Sequence, residues 1–97
     1  MVITTVVHLL EIIKVLEAGT TLERTRDIVS TIIGSDNVVI VPVDKNSIQS
    51  AIYIAERHRI GVNDALAIEV MSENSVTEIY SNDKHFDNYP EITRIWE

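Results

Sequence analysis

Hydrophobic and polar positions alternate in blocks along this chain. From about Thr5 to Ala18 the polar residues are Thr5, His8, Glu11, Lys14 and Glu17, every third position, with apolar residues in every gap. A step of three lags the 3.6-residue turn by about 60°. The polar stripe therefore winds round the helix it predicts, and the helix should be buried on more than one side. Residues 2–4 read as a strand stub before it, and Gly19 reads as its C′ stop. Thr20-Thr21-Leu22-Glu23 reads as a capping box, with Thr20 as N-cap and Glu23 reaching back. The helix it opens should run to about Ile33 and stop at Gly34.

The next block is an unbroken β-branched run, Val38 to Val43, as expected of a strand buried on both faces. Pro42 has no N–H for a ladder, so this strand lies at an edge or ends there. Asp44 is positioned to cap a helix over Lys45 to Ile60, with Ile48, Ala51, Ile52 and Ala55 as its core stripe and Gly61 as its stop. Asp64 to about Asn74 reads as another helix, Val76 to Ser81 as a buried strand, and Ile92 to Ile95 as a short final strand. Helices alternating with strands predict an α/β fold with a parallel sheet and helices on both faces.

Composition narrows the class. A length of 97 residues with 45% hydrophobic content describes one folded domain, not a disordered chain. There is no cysteine, which excludes a disulfide framework, a thiolate metal site and a cysteine nucleophile. No apolar run approaches the roughly 18 residues a membrane span requires. The first residues lack the basic region of a secretory signal, so a cytoplasmic protein is the expectation. The net charge of −7 is uneven: residues 1–59 hold seven acids and six bases, and residues 60–97 hold eight acids and two bases, Lys84 and Arg94. Such a surface is poor at gripping a phosphate backbone by Lys and Arg. It suits a cation site as readily as it suits simple solubility.

Two acids stand where an α/β sheet places its ligand crevice, at strand ends and helix starts. Asp64 opens a helix and Asp83 follows a strand. Asp64 can instead cap its helix, although Asn63 can take that role, and Asp83 can form an Asx turn. Carboxylates brought together there repel unless a proton or a cation lies between them, and an oxygen-liganded ion such as Mg²⁺ or Mn²⁺ fits. Glu11 can pair with His8 or Lys14 along its helix, but it is flanked by Leu9, Leu10, Ile12 and Ile13, where a carboxylate needs a partner. His8, His58 and His85 share no metal-ligand spacing, and His85 reads first as a surface loop residue.

The run Asn63-Asp64-Ala65-Leu66-Ala67, followed by Ile79-Tyr80-Ser81-Asn82-Asp83-Lys84-His85-Phe86-Asp87, resembles the C-terminal half of a PIN domain, the family of the VapC-type toxin ribonucleases. Ile3 to Ile12 is similar to the segment carrying that family's second acid. The resemblance implies a three-layer α/β/α fold and a metal-dependent ribonuclease. Glu11, Asp64 and Asp83 would be its catalytic, metal-holding acids, with Asp87 an auxiliary metal-site acid and Mg²⁺ or Mn²⁺ the cofactor. RNA is the implied substrate and an antitoxin protein an implied partner. It also implies that the family's opening strand, its first catalytic Asp and the following helix lie before the segment matched here, so that the strands Val38–Val43 and Val76–Ser81 either lie apart with a gap between them or have that gap filled by another chain or a partner's N-terminal segment. The apolar helix Thr5–Ala18 adds the expectation of a homodimer. An inactive PIN-like module that binds other proteins is the second reading. A receiver-like phosphoacceptor at Asp44 is disfavoured, because the paired acids and the late Lys such a domain requires are missing.

Overall fold

The computed structural model describes residues 1–96. Its contacts divide the chain into two compact units, Met1–Asp44 and Lys45–Glu97.

In the first unit, strand β1 (Val2–Thr5) leads directly into helix α1 (Val6–Gly19). Thr5 makes that transition possible: its side chain accepts the His8 N–H at 3.0 Å, the N-cap bond, and its hydroxyl lies 2.7 Å from His8 Nδ1. Helix α2 (Leu22–Ile33) and strand β2 (Val38–Val41) follow. The strands pair in parallel, Val2 opposite Val38 and Thr5 opposite Val41, with the two helices as the crossover.

Three expectations are corrected here. The cap of α2 is Thr21, not Thr20: Thr21 accepts the Arg24 N–H at 3.2 Å. Thr20 instead finishes α1, donating its N–H to the Leu16 carbonyl at 2.8 Å. β2 is shorter than Val38–Val43 and only half-buried, with Val39 exposed, because its sheet has two strands and leaves surface uncovered. α1 likewise buries Leu9 while Val6, Leu10, Ile12 and Val15 remain exposed.

The second unit is built on helices α3 (Lys45–His58) and α4 (Val62–Glu73). Their seam is made of small residues, with Ala51 and Ala55 of α3 buried alongside Ala65 and Leu66 of α4. The expected α3 stripe is rotated: Ser47, Ala51 and Ala55 face inward, and Ile48 and Ile52 are exposed. Close helix approach favours the face with the least side-chain bulk. Ser47 also donates to Glu73 at 3.4 Å across the seam. Burial, with Glu73 hydrogen-bonded and charged alongside, holds the Glu69 carboxyl above its ordinary pKa.

Glycine does not supply the left-handed helix ends. Those conformations fall on Arg59 (φ 56°) and Ser75 (φ 54°). At each, the following residue reaches back over the helix end: the Ile60 N–H donates to Ala55 and the Val76 N–H to Met71. Strand β3 covers only Glu78–Tyr80, and just before it the Thr77 carbonyl accepts the Thr93 N–H at 2.8 Å. β3 pairs in parallel with β4 (Thr93–Ile95), Tyr80 opposite Ile95, through a short 3-10 helix at Lys84–Asn88. Thus Val38–Val41 and Glu78–Tyr80 belong to separate two-stranded parallel sheets. Among the described residues no helix is long and apolar enough to cross a membrane.

Leu66 is 1% exposed and anchors the helix seam. Leu66→Ala is expected to cost about 2–5 kcal/mol of unfolding free energy in a urea titration.

Candidate metal centre

Gly61, in an extended conformation, opens α4 without a side-chain cap, and Asp64 falls in the first helical turn. There its carboxylate meets the positive end of the helix dipole. Asp83 is placed by the loop after β3. The Ser81 hydroxyl oxygen accepts the Asp83 N–H at 3.1 Å, and Asp83 Oδ1 accepts the His85 N–H at 2.9 Å, capping the 3-10 helix. Asp83 therefore does form the turn its position suggested. His85 Nδ1 also lies 2.8 Å from Asp83 Oδ1.

These local devices produce a cluster. One ligand atom from each of Asp64, Asp83 and His85 lies within 4.8 Å of the others. Asp64 is half-buried and His85 is exposed. Two carboxylates and an imidazole at this separation can surround one divalent cation, and the donor chemistry suits Mn²⁺ at least as well as Mg²⁺. Glu11 lies half-buried on α1 in the other unit.

Asp87 has a different partner. Its two oxygens accept from Arg94 Nε at 2.9 Å and Nη2 at 3.1 Å, a bidentate pair, while Arg94 Nη1 donates to the Ser81 carbonyl at 3.2 Å. Arg94 thereby clasps both ends of the loop that carries Asp83. The hydrogen bonds from Arg94 hold the Asp87 carboxyl below its ordinary pKa, and those to Asp87 hold the Arg94 guanidinium above its own.

The charge of Asp64 acts on Tyr89. The Tyr89 ring is buried against His58, with centroids 5.0 Å apart, and its hydroxyl is buried with no hydrogen-bond partner among the described residues. Burial, and then the negative charge of Asp64, push the phenol pKa upward. Sequence reasoning did not single out Tyr89 or Arg94 as site residues; it read His85 first as a surface loop residue, which its exposure bears out. The available signals were weak: His85 lies two positions after an Asx-turn aspartate, and Arg94 is one of two bases beyond residue 59.

A family model described as PIN domain matches residues 1–92. No curated protein and no solved structure gave a significant match.

The Asp87–Arg94 pair has a defined pH signature. A depressed carboxyl pKa contributes stability above the unfolded value of about 3.9, and that contribution fades as pH falls through the lower folded value. Asp87→Asn should therefore lower the melting temperature at neutral pH, and the gap from wild type should close in acid below about pH 3.9. A gap of constant size across the pH range would show that the pair contributes nothing through ionisation.

Proposed function

The chain belongs to the PIN-domain family, whose members are generally divalent-metal-dependent nucleases, and we propose that it is a ribonuclease that hydrolyses RNA phosphodiester bonds. The carrying observation is the approach of Asp64, Asp83 and His85 to within 4.8 Å in their ligand atoms. In this reading Asp64 and Asp83 hold Mg²⁺ or Mn²⁺ directly. Asp87 supports the site from outside by fixing Arg94 and the loop. The bound cation would supply a low-pKa water and neutralise charge on the attacking and leaving oxygens.

The chain's own groups have separable tasks. Both local hydrogen bonds to Asp83 fall on Oδ1, which leaves Oδ2 to face the ion. His85 orients that carboxylate and is placed to receive or return a proton near the scissile phosphate. A toxin of the VapC type, restrained by an antitoxin protein, is the finer form of this proposal.

The exposed side chains Val6, Leu10, Ile12 and Val15 on α1 support a homodimer. They also favour a second reading, in which the chain is an inactive PIN-like module that binds other proteins. The two readings separate on metal.

Asp64→Asn and Asp83→Asn should each weaken Mn²⁺ binding in calorimetry by at least about tenfold and abolish RNA cleavage. Each should also raise stability without metal, because a repelling charge is gone. His85→Ala should reduce cleavage more than metal affinity. Wild-type protein that neither binds Mn²⁺ nor cuts RNA would favour the second reading. In sedimentation, the wild type should run as a dimer and Leu10→Glu as a monomer; a wild-type monomer at high concentration would refute the dimer.

A further inference from the structure

Two aromatic rings lie exposed and in contact at the carboxyl ends of the second unit's strands. Tyr80 ends β3 and is 67% exposed; Trp96 follows β4 and is 53% exposed. Their centroids are 5.4 Å apart with the planes tilted by 57°. Ile95, the register partner of Tyr80, is also exposed. Register partners in a parallel sheet project to the same face, so Tyr80 and Ile95 share one. Exposed aromatics are costly to leave in water and mark surfaces that receive a partner.

Their position indicates which partner. Tyr80 is three residues before Asp83, and the intervening backbone is fixed: the Ser81 N–H donates to the Ile95 carbonyl at 3.1 Å, and the Asp83 N–H to the Ser81 hydroxyl oxygen at 3.1 Å. The ring pair is thus tied to the metal-site acid by a short, hydrogen-bonded link. The acidic balance of residues 60–97 weakens the usual grip on a nucleic acid. Residues 60–97 hold eight acids and two bases, Lys84 beside Asp83 and Arg94, and Arg94 is paired with Asp87. A substrate strand drawn to this face needs an attraction that works without positive charge. Stacking of a nucleobase on an aromatic ring is such an attraction, and it tolerates any base.

We propose that Tyr80 and Trp96 form a stacking platform for an unpaired base of single-stranded RNA, holding the strand next to the acids Asp64 and Asp83. The proposal deepens the nuclease reading and rests on it for the identity of the strand. It assigns the choice of single-stranded over duplex RNA to this pair, since duplex bases already stack on each other. It also makes binding only weakly dependent on salt, because few phosphate-bound counterions are displaced.

Trp96 is the one tryptophan in the chain, so its emission reports on the platform directly. The probes are a short oligouridylate, an abasic ribose-phosphate strand of equal length and a duplex RNA, each titrated in Ca²⁺ and in EDTA. Oligouridylate should quench Trp96, and the abasic and duplex strands should not. Tyr80→Ala should weaken the quenching titration on the order of tenfold, and Tyr80→Phe should restore it. Equal quenching by the abasic strand overturns the platform. So does absence of quenching while Mn²⁺ binding and cleavage still depend on Asp64 and Asp83, and the nuclease reading then stands without it. Base-dependent quenching with no metal binding or cleavage overturns the nuclease reading and keeps the platform. A blue shift of Trp96 with protein concentration alone, blocking the RNA effect, assigns the face to a second copy and overturns the proposal.

Discussion

Like charges do not approach one another in a folded protein without compensation, and the second unit is organised around that constraint. Asp64 and Asp83 are 19 positions apart in sequence and near each other in space. Each arrives with partial compensation. Asp64 has the amino end of α4 beneath it, a contribution of about 0.3–1 kcal/mol in such settings. Asp83 has the His85 N–H and imidazole on one oxygen. The guanidinium of Arg94 adds positive charge nearby, and the Asp83 charge is one of the influences holding its proton. With these supports the two acids lie close enough for one ligand atom of each, with one of His85, to fall within 4.8 Å.

The rest of the second unit holds that arrangement rigid. The alanine-lined seam between α3 and α4 fixes where α4 begins, and hence where Asp64 points. The clasp of Arg94 on Asp87 and on the Ser81 carbonyl fixes where the loop after β3 lies. Neither support need touch a substrate, yet a shift in either would move one acid relative to the other. Sites of this kind lose function through loosened supports as readily as through lost ligands.

The alternation of helices and strands was legible in the sequence because long apolar periods and Gly or Pro punctuation carry it. The acids Asp64 and Asp83 were legible because a helix start and a strand end are places where a carboxylate has something to do. Details decided by tertiary packing were not. Ile48 and Ile52 have the hydrophobicity of core residues, but the helix pair chose its small face, and nothing local to α3 reveals how near α4 will come. The capping threonine was off by one because two threonines stand in succession and α1 claimed the first. Arg59 holds the end of α3 where Gly61 was the expected stop, and Ser75 holds the end of α4, each with a reach-back hydrogen bond that offsets the strain of a positive φ. His85 is a lone ring in a loop, and only the folded turn brings it to the carboxylates.

Both sheets are parallel pairs, and their strands are joined by very different lengths of chain. Val2 meets Val38 across 36 positions, whereas Glu78 meets Thr93 across 15. Loop-closure entropy grows only logarithmically with length, so the longer connection costs about 0.8 kcal/mol more to close. The larger difference is kinetic. The connection between β1 and β2 holds two whole helices, while that between β3 and β4 holds one short 3-10 helix. Rates of folding follow this kind of sequence separation. The strand pair that carries Asp83 is therefore the one built for early closure, and the strand that feeds Glu11 into α1 is built to find its partner late.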